Sequence, residues 1–457
     1  MKYEINVEKL FEDYYDNFIK DLDGLLRIPS VLKEFTPENT ETPFGQDIRD
    51  ALDYMLGLAR VDGFKAYNVD NYCGFIEWGE GDETVVILCH LDVVPASGVW
   101  TNPPFEPIIK DGRIYARGSS DDKGPLMATY YALKMLKDQG YTPNKKLRFF
   151  FGCDEESGSR GLHHYISKYP ECDYGFSPDA EFPCIYAEKG ISSIEIRGES
   201  TDSRLVSFKS GTAHNVVPDK ATATLKDIDL SEELESFAKQ NNLKYEINGN
   251  EYTMYGKSAH GSTPEAGLNA ALYLGYFLSS YLNDSFLNFI KDYLFYDFNG
   301  QKLDMEVEDE EMGHTSNNAA IFDLENGKFS IICNLRYTKS FNFDEKMNEL
   351  KDILSNMNMS LKVLGNSPYH YVPKNSTLVR ALLKSYNKWT PGFSSKDREP
   401  ISIGGGTYAR DFKNAVAFGC IFPGEEECMH MPDESADIHN LVLSSFIIMD
   451  AIRNICD

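Results

Sequence analysis

Two short apolar runs, each followed by a cluster of charged side chains, constrain the fold of this chain most strongly. The runs cover residues 84–89 and 147–153, and they are typical of strands buried on both faces of a parallel sheet. The charged side chains that follow them are His90, Asp92, Asp154, Glu155 and Glu156. Because α/β folds place their sites at the carboxyl ends of such strands, we expect these side chains to belong to a site.

Helical and strand patterns alternate along the rest of the chain, which at 457 residues is long enough for two or three domains. From Ile191 the pattern changes to alternating strands. The predicted helices cover residues 7–28, 51–63, 126–140, 268–282 and 378–389, with a last helix ending at Cys456. Loops are predicted at residues 173–183 and 401–410, and single strands at residues 329–335 and 415–422.

Composition argues against several kinds of partner. Hydrophobic residues make up 42% of the chain and charged residues 25%, an ordinary balance for a globular protein. The net charge of −26 argues against nucleic acid or an anionic membrane as a partner. Residues 1–6 open a charged amphipathic helix without an apolar signal core, and the chain has no apolar run long enough to cross a bilayer. We therefore expect a soluble cytoplasmic protein.

The cysteines argue against a disulfide framework and against a thiolate zinc site. There are nine of them, an odd number, and they are scattered without C-x-x-C spacing. The sequence also lacks an HExxH motif, and the segment that ends in Gly256-Lys257-Ser258 fails the phosphate-loop spacing. We therefore expect reduced thiols, and the ligands of any metal ion must come from distant parts of the chain.

Two adjacent carboxylates, Asp121 and Asp122, stand at the head of a predicted helix. Asp121 is a candidate bridge between two metal ions, because a carboxylate can offer one oxygen to each of two cations. Capping of the helix N-terminus is the alternative. Alternatives also remain at the strand ends. His90 is either a metal ligand aimed by Asp92 or an ordinary buried histidine, and the acids after residue 153 are either a cation site or a solvated loop.

Eight short motifs together give the chain a resemblance to a known family. They are HLDVVP at 90–95, ARGSSDDKGP at 116–125, DEESGSRG at 154–161, SPDAEFP at 177–183, AEKG at 187–190, GKSAHGSTP at 256–264, IGGGTYAR at 403–410 and MH at 429–430. In this order they resemble the co-catalytic metallopeptidase family of aminoacylases, succinyl-diaminopimelate desuccinylases, carboxypeptidases G and carnosinase-like dipeptidases. Within that family the chain looks most like the PepV-like dipeptidases.

The resemblance implies two divalent metal ions, with zinc as the first choice and manganese or cobalt as alternatives. One ion is held by His90, Asp121 and Asp179. The second is held by Asp121, Glu156 and His430. Asp121 is thus the ligand that both ions share.

The resemblance also implies how protons move. Glu155, which is not itself a ligand, is the general base that takes a proton from a metal-bridging water and later delivers it to the leaving amine. Asp92 orients His90. The peptide bond between Asp121 and Asp122 is implied to be cis, which turns the bridging carboxylate into the site.

A third set of residues is implied to act on the substrate. Asn215 and His260 are matched to residues of a lid that stabilise the tetrahedral oxyanion. Arg336 is matched to the arginine that grips the terminal carboxylate of the substrate. Thr407, in the glycine-rich loop, assists, whereas His214 is interpreted as structural.

The implied fold is an α/β catalytic domain with a mixed sheet and helices on both faces, made of residues 1–190 and 373–457. It is interrupted by an α+β lid of residues 191–372. The implied activity is metal-dependent hydrolysis of dipeptides with free amino and carboxyl ends, by a monomer. An N-acyl-amino-acid deacylase or a carboxypeptidase with the same mechanism is the alternative. A non-catalytic binding protein is disfavoured, because the complete ligand set and Glu155 are present.

Overall fold

The computed structural model describes residues 6–457, so most of the predicted N-terminal segment 1–6 lies outside the described residues. The chain forms two compact units. The first comprises the chain up to Ala187 together with Tyr371–Ile401 and Gly406–Asp457, and the second comprises Glu188–His370 and Ser402–Gly405. The second unit is therefore largely one continuous segment placed between the two main parts of the first.

The first unit is built on a mixed sheet. Its strands, in spatial order, are Lys65–Val69, Cys73–Trp78, Lys146–Gly152, Thr84–His90, Tyr174–Ser177, Ala415–Ala417, Ile185–Glu188 and His370–Tyr371, and Ile401–Ile403 also pairs with Ile185–Glu188. The four strands from Lys146–Gly152 to Ala415–Ala417 in this order are mutually parallel. Their carboxyl ends therefore lie at the same edge of the sheet.

Burial explains why the strands at the centre of this sheet read as unbroken apolar runs. All seven residues of Thr84–His90 are buried, and so are six of the seven in Lys146–Gly152. Leu88 is in register with Phe150, and both belong to a cluster of fully buried side chains that also includes Phe75 and Tyr165. A strand with neighbours on both sides and side chains covered on both faces has no polar face, so its sequence does not alternate.

Helices and smaller strand groups complete the first unit. The helices are Val7–Leu10, Glu12–Leu26, Gln46–Val61, Lys123–Asp138, Arg160–Lys168, Thr377–Trp389 and Ile438–Cys456. A three-stranded antiparallel group contains Ile108–Lys110, Arg113–Tyr115 and Ser435–Asp437, and a two-stranded group contains Ala180–Glu181 and Cys420–Ile421. These small groups carry the segments that lead into the site.

The second unit is an antiparallel sheet with its own core. Its strands, in spatial order, are Lys244–Asn248, Glu251–Tyr255, Lys220–Leu225, Leu205–Ser210, Ser316–Glu325, Lys328–Tyr337, Gly190–Glu199 and Ser360–Ser367. Two further short strands, Glu308–Asp309 and Gly313–His314, pair with each other. The helices are Ser231–Gln240, Ala270–Leu278, Ser285–Phe289 and Phe343–Ser355. Buried residues from the sheet and from these helices form one continuous apolar cluster.

The structure confirms the predicted mixed-sheet α/β fold and corrects several details. The loop predicted at residues 173–183 contains a central strand, Tyr174–Ser177, which is too short and too polar at its ends for its pattern to be recognised. The strand predicted at 415–422 is two short strands, and the helix predicted at 7–28 is interrupted at Phe11. All nine cysteines are free thiols, as predicted. Within residues 6–457, every helix is too short or too polar to span a bilayer.

Candidate active site

The carboxyl ends of the parallel strands deliver most of the predicted ligands to one place. His90 is the last residue of the strand Thr84–His90, and Glu155 and Glu156 follow the strand Lys146–Gly152. Asp179 comes two residues after the strand Tyr174–Ser177. Because these strands are adjacent and parallel, their ends place the three segments side by side.

His90 is fixed in the tautomer that a metal ligand needs. Its ring nitrogen Nδ1 lies 2.9 Å from the backbone carbonyl oxygen of Asp92, and a carbonyl can only accept, so Nδ1 carries the proton. In the neutral imidazole, Nε2 is then the nitrogen that carries the lone pair. This nitrogen is buried and makes no hydrogen bond within the described part of the chain, although carboxylate oxygens of Asp121 and Asp179 lie 3.0 and 3.4 Å away. An orphaned imidazole nitrogen facing carboxylates fits a divalent cation.

Asp121 offers one oxygen to each of two imidazoles. Its Oδ1 lies 3.0 Å from Nε2 of His90, and its Oδ2 lies 2.9 Å from Nε2 of His430. Glu156 lies on the His430 side, with Oε2 at 3.1 Å from the same nitrogen. The peptide bond between Asp121 and Asp122 is cis, as the resemblance implied. With its two oxygens facing different imidazoles, Asp121 could offer one oxygen to each of two cations.

Asp122 shows that the acidic pair does not cap the helix that follows it. It occupies the position before Lys123–Asp138, but its side chain accepts no hydrogen bond from the first turn. Instead, its Oδ2 accepts the backbone N–H of His90 at 3.0 Å. Asp122 is fully buried, and His90, Asp122 and Asp179 present ligand atoms within 4.8 Å of one another. Sequence reasoning assigned Asp122 no part in the site beyond the possible cap.

The charges of the site call for a cation. Burial raises the pKa of Glu155 and of Asp179, and it raises that of Glu156 to about 7, with neighbouring carboxylates adding to the effect in each case. Burial also acts to raise the pKa of Asp121, but the neighbouring imidazoles of His430 and His90 outweigh it and lower that pKa. Buried carboxylates that are crowded together repel one another, and divalent ions remove that repulsion.

Asp92 has a different main contact from the one implied by the resemblance. Its carboxylate lies 3.6 Å from Nδ1 of His90, while its backbone carbonyl makes the short contact to that nitrogen. The two carboxylate oxygens accept the backbone N–H groups of Glu155 and Glu156, each at 3.0 Å. Asp92 therefore joins the two strand ends: its main chain aims the histidine, and its side chain holds the turn that carries both glutamates.

The predicted substrate residues of the second unit occupy two neighbouring segments and one strand. Asn215 and His260 lie on segments that pair with each other, since Gly261 N–H donates to the Asn215 carbonyl at 2.7 Å and His260 bridges to Val216. Nδ1 of His260 lies 2.7 Å from the Ser262 hydroxyl. The sequence separation of these segments gives no indication of this pairing, which the tertiary structure creates.

Arg336 and Thr407 are held by local hydrogen bonds. Arg336 is buried at the end of the strand Lys328–Tyr337, where Nε donates to Oδ1 of Asn334 at 2.9 Å and Nη1 donates to the Gly404 carbonyl at 2.8 Å. Thr407 belongs to the first unit, and its hydroxyl accepts the N–H of Ala409 at 3.2 Å. His214 contacts the Ser193 hydroxyl at 2.9 Å, in keeping with its structural interpretation.

Tyr408 is a further residue beside the site that sequence reasoning missed. It is buried, and its ring meets that of His90 edge-on at a centroid distance of 6.3 Å. A side chain on Gly152 would collide with the tyrosine hydroxyl, since a Cβ there would lie 2.3 Å from that oxygen. Glycine at the end of the strand Lys146–Gly152 therefore leaves room for the Tyr408 ring to pack against His90.

The profile of peptidase family M20/M25/M40 matches residues 86–454, a span that contains all of the candidate metal ligands described above. The chain belongs to this peptidase family. It is therefore a hydrolase, and the grouping of imidazoles and carboxylates around Asp121 is the metal-binding grouping expected of a metallopeptidase.

Two relatives of high coverage are proteins of Staphylococcus aureus that carry the name "Putative dipeptidase". The one from strain MW2 is 38% identical over 97% of this chain and 98% of its own length, and the one from strain bovine RF122 is 37% identical over the same shares. Among solved structures, human carnosine dipeptidase 1 matches with a TM-score of 0.58 at 16% identity, covering all of both chains. Aminoacylhistidine dipeptidase from Vibrio alginolyticus matches with a TM-score of 0.59 at 15% identity over 98% of each chain. At such identities the structural matches establish a shared fold.

Proposed function

We propose that this protein hydrolyses dipeptides that have free amino and carboxyl ends, using two divalent metal ions. The observation that carries the proposal is the position of Asp121, whose two oxygens face Nε2 of His90 and Nε2 of His430 at 3.0 and 2.9 Å. The dipeptidase names of relatives that are 37–38% identical over 97% of this chain support the substrate class.

The residues suited to hold the ions are those that the resemblance implied. His90, Asp121 and Asp179 would hold one ion, and Asp121, Glu156 and His430 the other. Imidazole together with carboxylate suits zinc, and manganese or cobalt as well. When bound, the two ions would lower the pKa of the attacking water and polarise the scissile carbonyl.

Glu155 is the group proposed to move protons. It would accept a proton from the attacking water and donate it to the amine that leaves when the peptide bond breaks. Its backbone N–H donates to the Asp92 carboxylate, and this hydrogen bond fixes the main chain from which the Glu155 side chain extends. Burial raises the pKa of Glu155, which favours a carboxylate able to hold the proton between the two transfers.

The second unit is proposed to act as a lid that supplies substrate contacts. His260 and Asn215 would stabilise the developing oxyanion, Arg336 would pair with the terminal carboxylate, and Thr407 of the first unit would assist. A guanidinium is suited to this task because its donors match a carboxylate as a fork. We further propose that the protein acts as a monomer in the cytoplasm.

The decisive experiment compares one good dipeptide with its N-acetylated and C-amidated forms, with zinc, manganese or cobalt supplied. Acetylation should lower kcat/KM at least tenfold, because a dipeptidase must accommodate a free ammonium group. Amidation should lower it by about 30- to 1000-fold, because the carboxylate partner of a buried guanidinium is lost. Cleavage of N-acetyl amino acids as fast as free dipeptides would replace the dipeptidase proposal with a deacylase.

A variant of Arg336 makes the carboxylate assignment specific. Arg336→Lys keeps the positive charge but loses the fork, so it should lower kcat/KM for the free dipeptide while barely affecting the amidated one. If the variant still prefers the free dipeptide as strongly as the wild type does, another group recognises the carboxylate.

A further inference from the structure

A buried ion pair next to the metal ligands has no role in the chemistry described so far. Arg117 and Glu434 are 1% and 0% exposed, and Nη1 of the arginine lies 2.5 Å from Oε2 of the glutamate. Removing two such charges from water is costly before their mutual attraction is counted, and an apolar pair of similar size is often as stable. The ion pair therefore calls for a reason other than stability.

The Glu434 carboxylate also binds the loop that ends in Asp121. Its Oε2 accepts the backbone N–H of Gly118 at 3.1 Å, and its Oε1 accepts those of Ser120 and Asp121 at 2.8 and 3.1 Å. One carboxylate thus takes three backbone donors in addition to the guanidinium. Hydrogen bonds to an ionised acceptor are about twice as strong as neutral ones, so this loop is held firmly along its whole length.

Glu434 is at the same time part of the loop that carries the other ligand of this region. It lies four residues after His430, and its own backbone carbonyl accepts the N–H of Ala116 at 3.0 Å. Both His430 and Asp433 adopt left-handed backbone conformations, with φ of 63° and 56°. Such conformations are uncommon for residues other than glycine and need support from their surroundings.

The carboxylate therefore stands where two loops meet, and each loop contributes one ligand to the same cation position. The two ligands, Asp121 and His430, approach to 2.9 Å across that position. A small shift of either loop would change the separation between the Oδ2 atom of Asp121 and the imidazole nitrogen, and metal affinity depends steeply on that geometry.

We propose that Glu434, neutralised by Arg117, is a positioning residue that sets the geometry of Asp121 and His430 and thereby the affinity for the metal ion between them. This inference rests on the two-metal assignment of the proposed function. Glu434 is thus close to His430 in sequence and positions that ligand without being a ligand itself.

The test measures zinc binding without substrate, by competition with a chromogenic chelator and by the metal content of the purified protein. Glu434→Gln should weaken the binding of one of the two zinc ions by about 10- to 100-fold, the usual effect of losing a partner that orients a ligand. It should lower kcat with little change in KM, because the substrate contacts are untouched.

Asp450→Asn is the matched control. Asp450 is a buried carboxylate of the same unit, 5% exposed, that accepts hydrogen bonds from Lys388 Nζ at 2.5 Å and from the Trp389 indole at 2.6 Å. It lies on the helix Ile438–Cys456, and both of these partners belong to the helix Thr377–Trp389, which contributes no candidate metal ligand. Its variant should lose a similar amount of thermal stability and keep both zinc ions at wild-type affinity.

A second variant covers the case in which Glu434→Gln fails to fold. The double substitution Arg117→Met and Glu434→Met removes the buried charges and keeps the volume, so it should fold while the three backbone N–H groups still lack their carboxylate acceptor. We expect the same loss of zinc affinity. Wild-type affinity for both ions in either folded variant would overturn the inference. A wild-type protein that binds two zinc ions but cleaves no dipeptide would instead contradict the proposed substrate and leave this inference standing.

Discussion

Asp121 shows how much one side chain contributes to this site. Each of its oxygens faces a different imidazole, at 3.0 and 2.9 Å, so its loss would affect both cation positions at once. Glu155 is different, because it adjoins the ligand Glu156 without being needed to hold a cation in the proposed assignment. The two residues therefore offer a direct way to separate metal binding from proton transfer.

Glu155→Gln should leave both metal ions bound and lower kcat by about 10²- to 10⁴-fold, the usual contribution of a general base. Asp121→Asn should instead lower the metal content, because an amide is a weaker ligand and has one oxygen in place of two. Metal content by mass spectrometry and initial rates on one dipeptide check both statements. The reverse pattern, with metal lost from Glu155→Gln and kept by Asp121→Asn, would exchange the two roles.

At the scale of elements, strands and the loops between them both position the site residues of the first unit. The carboxyl ends of the parallel strands set the positions of His90, Glu156 and Asp179. Buried carboxylates then hold the backbone of the loops that follow these strands. Asp92 holds the turn at Glu155 and Glu156 through two backbone N–H groups at 3.0 Å. A buried polar side chain that accepts hydrogen bonds from the N–H groups of a loop offsets the cost of burying those N–H groups.

Asp284 plays a similar part in the second unit, away from the site. It is fully buried and caps the helix Ser285–Phe289, with Oδ1 accepting the N–H groups of Phe286 and Leu287 at 2.9 and 3.3 Å. Its other oxygen accepts the N–H groups of Thr201 and Asp202 at 2.7 and 2.9 Å. One side chain thus joins a helix start to a loop more than eighty residues earlier.

Asp284→Ala should reduce the free energy of unfolding by about 3 kcal/mol, since it removes a helix cap and leaves buried backbone donors unpaired. Asp284→Asn keeps one acceptor and should lose roughly half as much. Urea unfolding followed by circular dichroism measures both values. A change of less than about 0.5 kcal/mol in the alanine variant, typical of an ordinary surface site, would show that these hydrogen bonds add nothing to stability.

At the scale of the whole molecule, the chain consists of two units with separate cores and contrasting sheets. The first has a mixed sheet, and its parallel strands bring the candidate ligands together at their carboxyl ends. The second has an antiparallel sheet, and an isolated bridge between Val216 and His260 places Asn215 next to His260. The proposed mechanism needs residues of both units to act on one substrate. In a monomer those residues all come from one chain, whereas in an oligomer a second chain could supply some of them.

His260→Ala should keep its metal ions and lose about 10²- to 10³-fold in kcat, the usual cost of one oxyanion donor. His214→Ala is the matched control, since this neighbouring histidine contacts the Ser193 hydroxyl and should retain most activity. If the protein acts as a monomer, mixing His260→Ala with Glu155→Gln should restore no activity. Recovery on mixing would show that one chain supplies His260 to the site of another.

The sequence alone predicted the residues whose chemistry is local. The apolar runs before His90 and Glu155 identified buried parallel strands, because such strands have no polar face. The cysteine spacing predicted free thiols, which is confirmed. The eight motifs indicated the peptidase family, which is also confirmed. The individual site roles, the metal identity and the monomeric state stay predictions.

Tertiary structure alone decided the contacts between segments that are far apart in the chain. The carboxylate of Asp92 binds a turn 63 residues away, and Glu434 binds a loop 313 residues away. Asp122 resembled a helix cap in sequence but accepts a hydrogen bond from His90, 32 residues earlier. The physical reason is that the hydrogen-bond partners of a buried carboxylate depend on which loops the sheet brings together. The periodicity of apolar residues in the sequence shows only which face of a strand or helix is buried.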